Sequence, residues 1–284
     1  MPSDAVASLR CPVCRGTLGL ITTGRTGLKC VSGHSFDAAK QGYFNLLTGK
    51  GTPFEADSAE MVAARSDFLG AGHYGPLANA LAELAAPELA APGSLVLDSG
   101  TGTGHYLRAV LDRTPATAIG LDISKFALRR AARLNPDAIN LVWDIWRPLP
   151  LADQAVDVLT VVFAPRNPPE FARVLRPGGR VIVVTPRSGH LAEIAERTGM
   201  LSIEAGKEER LAESMREFFV PGDSLQLDVD LTLTGRDVAD VAFMGPAGHH
   251  LERAALVAST AGETSVRTTA KFAISVFIAP EQGS

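Results

Sequence analysis

Residues 94–113 read "SLVLDSGTGTGHYLRAVLDR". Leu95, Val96 and Leu97 form an apolar run that reads as a strand, and Asp98 ends it. Gly100, Gly102 and Gly104 then crowd a tight turn. A helix is predicted to start near His105. Glycine lets the backbone come close to a ligand, and a helix start offers free N–H groups. A dinucleotide fingerprint would require G-x-G-x-x-G, whose third glycine falls where His105 stands. The spacing here is D-x-G-x-G-x-G.

That spacing resembles the S-adenosylmethionine loop of class I methyltransferases. The surroundings agree with it. A second strand, "ATAIGLD", ends at Asp122, where an acid can accept ribose hydroxyls. A helix is predicted over Lys125–Leu134. A third strand, "INLVWD", ends at Asp144, placed to touch an adenine. "RPLPLADQAVDVLTVVF" gives a turn and a fourth strand, with Ala164 at its carboxyl end. "PEFARVLRPGGRVIVVTP" gives a helix, a Pro-Gly-Gly turn and a fifth strand. Strands alternating with helices imply a parallel sheet covered on both faces, with ligands at the carboxyl ends of its strands. Further on, "LQLDVDLTLTG" and "VRTTAKFAISVFIAP" supply two alternating strands that would close the sheet. Between them, "AFMGPAGHHL" reads as a loop or helix end near the pocket. His249 and His250 there fit surface or core positions better than a second metal site.

All three cysteines lie ahead of this body. Cys11, Cys14 and Cys30, with His34, form C-x2-C-x15-C-x3-H. Cys3His is a structural zinc set, and a closed tetrahedron leaves no position for a reacting water. The intervening residues read as two short strands around the turn "TTGRTG". A redox-active C-x-x-C is the alternative. Such motifs sit at the head of a helix beside a βαβ pattern, and no apolar helix follows Cys14. So small a module would draw much of its folding energy from metal binding.

Hydrophobic residues make up 46% of the 284-residue chain, enough for a sizeable core. No apolar run has membrane-spanning length, and "MPSDAVASLR" shows no signal-peptide pattern, so the expected location is the cytoplasm. The net charge of −4 is unevenly spread. Residues 1–51 hold Arg10, Arg15, Arg25, Lys29, Lys40 and Lys50 against Asp4 and Asp37, a net of +4, whereas the rest carries 21 cations against 29 anions. A basic head on an acidic body suits contact with a polyanion. "TGKGTPFEAD" reads as a linker. Asp57 or Ser58 caps a helix whose apolar stripe is Met61, Val62, Phe68 and Leu69, interrupted by Arg65. A second helix lies near Leu77–Leu89. The expected organisation is a zinc-binding, RNA-recognition module at 1–50, a helical linker region at 51–92 and a methyltransferase domain at 93–284.

Four stretches, "CPVC…C…GHSFD…QGYFNLL", "DSAEMVAARSDFLGAGHY", "LDSGTGTGHY" and "VVFAPRNPPEFARVLRPGG", resemble the 23S rRNA (guanine-N1)-methyltransferases, over nearly the whole chain. Some members of that family confer resistance to macrolides such as tylosin. The resemblance implies an α/β class I S-adenosylmethionine-dependent methyltransferase with a Rossmann-like, seven-stranded sheet and a small N-terminal zinc-binding domain. It implies a 23S rRNA hairpin as partner, with a homodimer as a candidate assembly. It places Tyr74 and His190 beside Asp98, Gly100, Gly102, Thr103, Gly104, Asp122 and Asp144 in holding S-adenosylmethionine. Cys11, Cys14, Cys30 and His34 would hold one structural Zn2+.

Asn167-Pro168-Pro169 is close to the N-P-P-aromatic motif that methylates exocyclic amines. Glu170 replaces the aromatic, so "NPP" reads instead as the start of the next helix, where Pro is tolerated. Ala164 and Pro165 are expected to line the target pocket. Asp144 is a candidate for the base that takes the N1 proton, although adenine contact suits it better. Two rival readings remain: a small-molecule methyltransferase with an incidental finger, and a zinc-anchored RNA-binding protein without catalysis.

Overall fold

The computed structural model describes residues 3–23, 26–49, 51–200, 206–262 and 265–281. Gly24 and Arg25 of the expected hairpin turn, and Lys50 of the basic head, lie outside the described residues. The expected hairpin is present as β1 (Leu18–Ile21) and β2 (Gly27–Cys30), paired antiparallel with Leu18 opposite Cys30. A third strand, β3 (Ser35–Asp37), adds to β2 and completes a small sheet.

The large sheet has eight strands. In chain order they are β4 (Phe44–Asn45), β5 (Leu95–Ser99), β6 (Thr117–Asp122), β7 (Ile139–Val142), β8 (Val156–Val162), β9 (Leu175–Pro186), β10 (Val220–Leu233) and β11 (Val266–Ile278). Their order across the sheet is β10-β11-β9-β8-β5-β6-β7-β4. Strands β4 to β9 run parallel, and β10 and β11 add antiparallel at one edge. Seven of these strands are the expected ones. The eighth, β4, comes from "GYFNLL" in the N-terminal segment and pairs parallel with β7, Phe44 opposite Leu141. Every residue of β5 and β7 is buried, as strands covered on both faces require.

The chain lays β5, β6 and β7 outward in one direction, then returns to place β8 and β9 on the other side of β5. That reversal opens a crevice at the carboxyl ends of β5 and β8, where open α/β sheets bind ligands.

The zinc-binding segment is packed into the same core. Leu9, Leu18, Leu28 and Phe44 share one buried cluster with Leu97, Leu149, Leu151 and Val161. Main-chain bonds reinforce the contact: Arg10 N donates to Pro150 O at 2.8 Å and Ala152 N donates to Ser8 O at 2.8 Å. Arg15 Nη1 also donates to Leu149 O at 2.8 Å.

Two helices cover residues 59–85. Ala59–Gly70 starts at Ser58, whose side chain accepts from Met61 N, and Gly75–Ala85 follows. The segment 235–243 is helical, opened by a capping box between Thr234 and Asp237. The histidine-bearing stretch after it is a single 3₁₀ turn, Pro246–His249.

Candidate active site and zinc centre

The glycine turn takes the shape its sequence demands. Gly100, Gly102 and Gly104 have φ of 79°, 54° and 80°, values an L side chain rarely adopts. Space is equally restrictive at two of them. A Cβ on Gly100 would lie 2.3 Å from Ala164 Cβ, and one on Gly104 would lie 2.5 Å from Asn135 Nδ2. Asn135 Nδ2 donates to Gly104 O at 2.9 Å, which fixes the end of the turn. The helix His105–Leu111 follows directly.

Acids stand where the strands end. Asp98 is buried at the end of β5 and accepts from Thr160 Oγ1 at 2.7 Å. Burial pushes its carboxyl up to about 6. Asp122, at the end of β6, accepts from Gly102 N through Oδ2 and from Ser124 N through Oδ1, both at 2.8 Å. Each oxygen keeps a lone pair for a further donor. Burial pushes this carboxyl up as well. Asp144 is buried just past β7 and accepts from Thr52 Oγ1 at 2.8 Å and from Trp146 N at 3.0 Å. The first of these bonds ties the linker to the crevice.

Tyr74 and His190, far apart in sequence, meet with Tyr74 Oη 3.4 Å from His190 Nε2. Phe272 packs between them, its ring centroid 5.0 Å from Tyr74 and 5.1 Å from His190. Tyr74 is buried, and desolvation raises its phenol far above the ordinary value.

The structure brings in two residues not singled out as ligands from sequence. Arg65 lies over the turn, its Nη1 3.8 Å from where a Gly102 Cβ would stand. It is held there by Asp57 and by a 2.6 Å bond to Met244 O. The sequence signal was a charge breaking an apolar stripe. Phe163, just past β8, has φ of 54° and is 44% exposed. No pattern in the sequence marks it.

"NPP" begins a helix, Pro168–Val174, as expected. Asn167 Nδ2 donates to Ile145 O at 2.7 Å, and Glu170 is taken up by Arg173 and Leu149 N. The Asn167 amide and the position of the missing aromatic are thus committed to the scaffold. His249 stands near two acids, 3.5 Å from Glu55 and 3.8 Å from Asp57.

At the zinc centre, the donor atoms of Cys11, Cys14, Cys30 and His34 lie within 4.8 Å of one another. They form the one group with metal-binding spacing among the described residues. Cys14 Sγ is 3.6 Å from Cys30 Sγ, and His34 Nδ1 is 3.3 Å from Cys30 Sγ and 3.7 Å from Cys11 Sγ. A tetrahedron with zinc–sulfur bonds of about 2.3 Å has edges of about 3.8 Å, so the donor set fits zinc. The Gly16 N–H, then Ser32, hold the Cys14 thiol down at about 6. Burial pushes the Cys11 thiol up.

A protein-family model described as "Methyltransferase domain" matches residues 96–179, and one described as "RlmA, N-terminal", a zinc ribbon, matches residues 9–50. A "Putative 23S rRNA (guanine-N(1)-)-methyltransferase" of Micromonospora griseorubida is 47% identical over 92% of this chain and 93% of its own. The "23S rRNA (guanine(748)-N(1))-methyltransferase" of Streptomyces fradiae is 45% identical over 88% and 89%. This chain belongs to the 23S rRNA (guanine-N1)-methyltransferase family.

Solved structures share the fold. A chain from the complex between the Haloferax volcanii Trm112 methyltransferase activator and a putative methyltransferase aligns with a TM-score of 0.54 at 21% identity, over 80% of this chain and all of its own. YcgJ of Bacillus subtilis aligns at 0.51 and 16%, over 71% and 98%.

Membership in this family makes S-adenosylmethionine the methyl donor and zinc a structural ion. The crevice suits the donor on two independent counts. Added side chains would collide at the glycine turn, so the bare backbone there is obligatory. Ser99 Oγ and His105 Nε2 are also buried around the turn without a protein hydrogen-bond partner. Such orphans are rare in a protein interior and mark a place for a polar ligand.

Proposed function

We propose that this chain transfers a methyl group from S-adenosylmethionine to N1 of one guanine in a 23S rRNA hairpin. The observation that carries the reading is similarity through both halves of the chain, zinc ribbon and catalytic sheet, to relatives named for that reaction.

Bound S-adenosylmethionine would supply an electrophilic methyl group. The chain's own residues hold and orient the reactants, which is the main source of rate in such a transfer. Gly100, Gly102, Thr103 and Gly104 cradle the donor, with Asp98 beneath them. Asp122 accepts the ribose hydroxyls on its free lone pairs. Asp144 meets the adenine. Tyr74, His190 and Arg65 line the methionyl end, where the Arg65 guanidinium suits a carboxylate. Ala164 and Pro165 border the space for guanine, which must leave its helix to expose N1. Asp144 already accepts two hydrogen bonds, so it serves better as a fixed acceptor than as the group that takes the N1 proton. That proton leaves to water at the crevice mouth.

Cys11, Cys14, Cys30 and His34 hold zinc and stiffen the ribbon. Arg10 and Arg15 spend their guanidinium groups on main-chain carbonyls. Lys29 and Lys40 are exposed and free to face phosphates. No helix among the described residues is long and apolar enough to cross a membrane, in keeping with work on ribosomal RNA in the cytoplasm. A homodimer and macrolide resistance belong to the same proposal; light scattering and growth on tylosin test them.

The deciding experiment is reverse transcription on 23S rRNA from cells with and without the gene. Methylation at N1 blocks base pairing, so the expected result is one gene-dependent stop at a guanine. A stop pattern unchanged by deletion would refute the reading. A purified protein that binds the donor and methylates a small molecule but not rRNA would favour the small-molecule alternative.

A further inference from the structure

Few large aromatic side chains are exposed among the described residues: Phe54, Phe126, Trp146 and Phe163. Phe126 lies on the outer helix Lys125–Leu134, with Arg129 over its ring. The other three gather on the crevice side. Phe54 and Trp146 pair with centroids 6.3 Å apart, and Trp146 is two residues from Asp144. Phe163 is the first residue beyond β8, next to the Ala164 that closes on Gly100.

Phe163 differs from the other three in its backbone. A bulky residue at positive φ is strained, and such strain persists where the surroundings enforce it, often at functional positions. Two constraints enforce it here. Phe163 N donates to Val184 O at 3.1 Å, and Ala164 is fixed against the glycine turn. The ring is braced at 5.8 Å by Phe272 and at 6.4 Å by Tyr106, yet nearly half of the residue stays open. A braced, open aromatic face beside the donor turn is what an unpaired base can stack on. Position 170, the aromatic place in an N-P-P-aromatic pattern, offers no ring here, because Glu170 stands there and is bound to Arg173 and Leu149 N.

We propose that Phe163 is the surface on which the extruded guanine stacks, holding N1 in line with the methyl donor. The proposal rests on the rRNA reading above. Base–aromatic stacking corresponds to roughly 5- to 150-fold in binding.

The test compares wild type, Phe163→Tyr and Phe163→Leu. Both variants keep a side chain at positive φ, so they share the backbone strain. Three readouts separate stacking from packing: kcat/KM on a 23S rRNA transcript, donor affinity by calorimetry without RNA, and the melting temperature. A fourth uses a hairpin carrying 2-aminopurine at the guanine that the reverse-transcription stop identifies, since stacking quenches its fluorescence. Phe163→Leu should lower kcat/KM by about 10- to 100-fold, leave donor affinity within about twofold and abolish the quenching. Phe163→Tyr should behave as wild type. The proposal fails if Phe163→Leu matches wild type in kcat/KM or quenching. It also fails if donor affinity falls as far as kcat/KM, which would make Phe163 a donor contact. A wild type that leaves the transcript unmethylated overturns the functional reading, and this proposal with it.

Discussion

Gly100 and Ala164 touch across the crevice so closely that a Cβ on Gly100 would stand 2.3 Å from Ala164 Cβ. One contact therefore joins the donor turn after β5 to the target side after β8. Gly100→Ala adds both this clash and a side chain at positive φ. It should cost about 2–5 kcal/mol of stability and abolish donor binding. Ala164→Gly in the same chain should recover part of the loss, because it removes the clash but leaves the φ penalty. A double-mutant cycle by denaturant melts measures this, and strictly additive effects would disprove the contact.

Removing the metal should damage more than the ribbon. Leu9, Leu18 and Leu28 share a core with Leu149 and Leu151, so loosening the ribbon exposes part of the main body. Chelation, or Cys14→Ser, should release zinc and lower the melting temperature of the whole chain in one transition. Metal analysis with calorimetry checks it. A Cys14→Ser protein that keeps stoichiometric zinc would refute the ligand set. Two separated transitions would refute the shared core.

Much of this architecture was legible in the sequence because parallel, doubly covered strands read as unbroken apolar runs. Residues 95–97 and 181–184 are of that kind, 156–162 is broken only by Asp157 and Thr160, and each ends at the crevice. The zinc spacing was legible because it lies within one short segment. β4 was not legible, since two residues carry no periodicity and only the register with Leu141 and Val142 defines the strand. β10 begins at Val220, earlier than its alternating pattern, because pairing with β11 extends it over exposed residues. The helix Gly235–Phe243 carries its start signal in the sequence, Thr234 with Asp237. Arg65 and Phe163 gain meaning only from neighbours distant in sequence, Gly102 and Met244 for one, Phe272 and Tyr106 for the other.

Arg65 should contribute to donor affinity rather than to the chemical step. Its guanidinium is fixed over Gly102 by Asp57 and the Met244 carbonyl. A hydrogen bond to a charged group contributes about 1.5–3 kcal/mol. Arg65→Met should therefore weaken donor binding by about 10- to 150-fold and leave kcat at saturating donor within about threefold. Calorimetry and steady-state kinetics together decide it. A fall in kcat with unchanged donor affinity would remove Arg65 from the donor site.

Asp98 should set the acid limb of donor binding. Burial pushes its carboxyl up to about 6, against the 3.8 of an ordinary aspartate. A raised carboxyl favours the neutral form in the folded protein. Its contribution to stability is therefore fully present below about pH 4 and is lost as pH rises through about 6. Donor binding has the opposite preference, because the sulfonium and amino groups of S-adenosylmethionine are cationic and favour ionised Asp98. As pH falls below about 6, donor affinity should drop by about tenfold per unit, while Asp98 itself no longer penalises folding. Asp98→Asn should flatten both dependences between about pH 4 and 7, at the low affinity that wild type reaches in acid. Calorimetric titrations and melts across that range measure the two together. An unchanged pH profile in Asp98→Asn would assign the titration to another group.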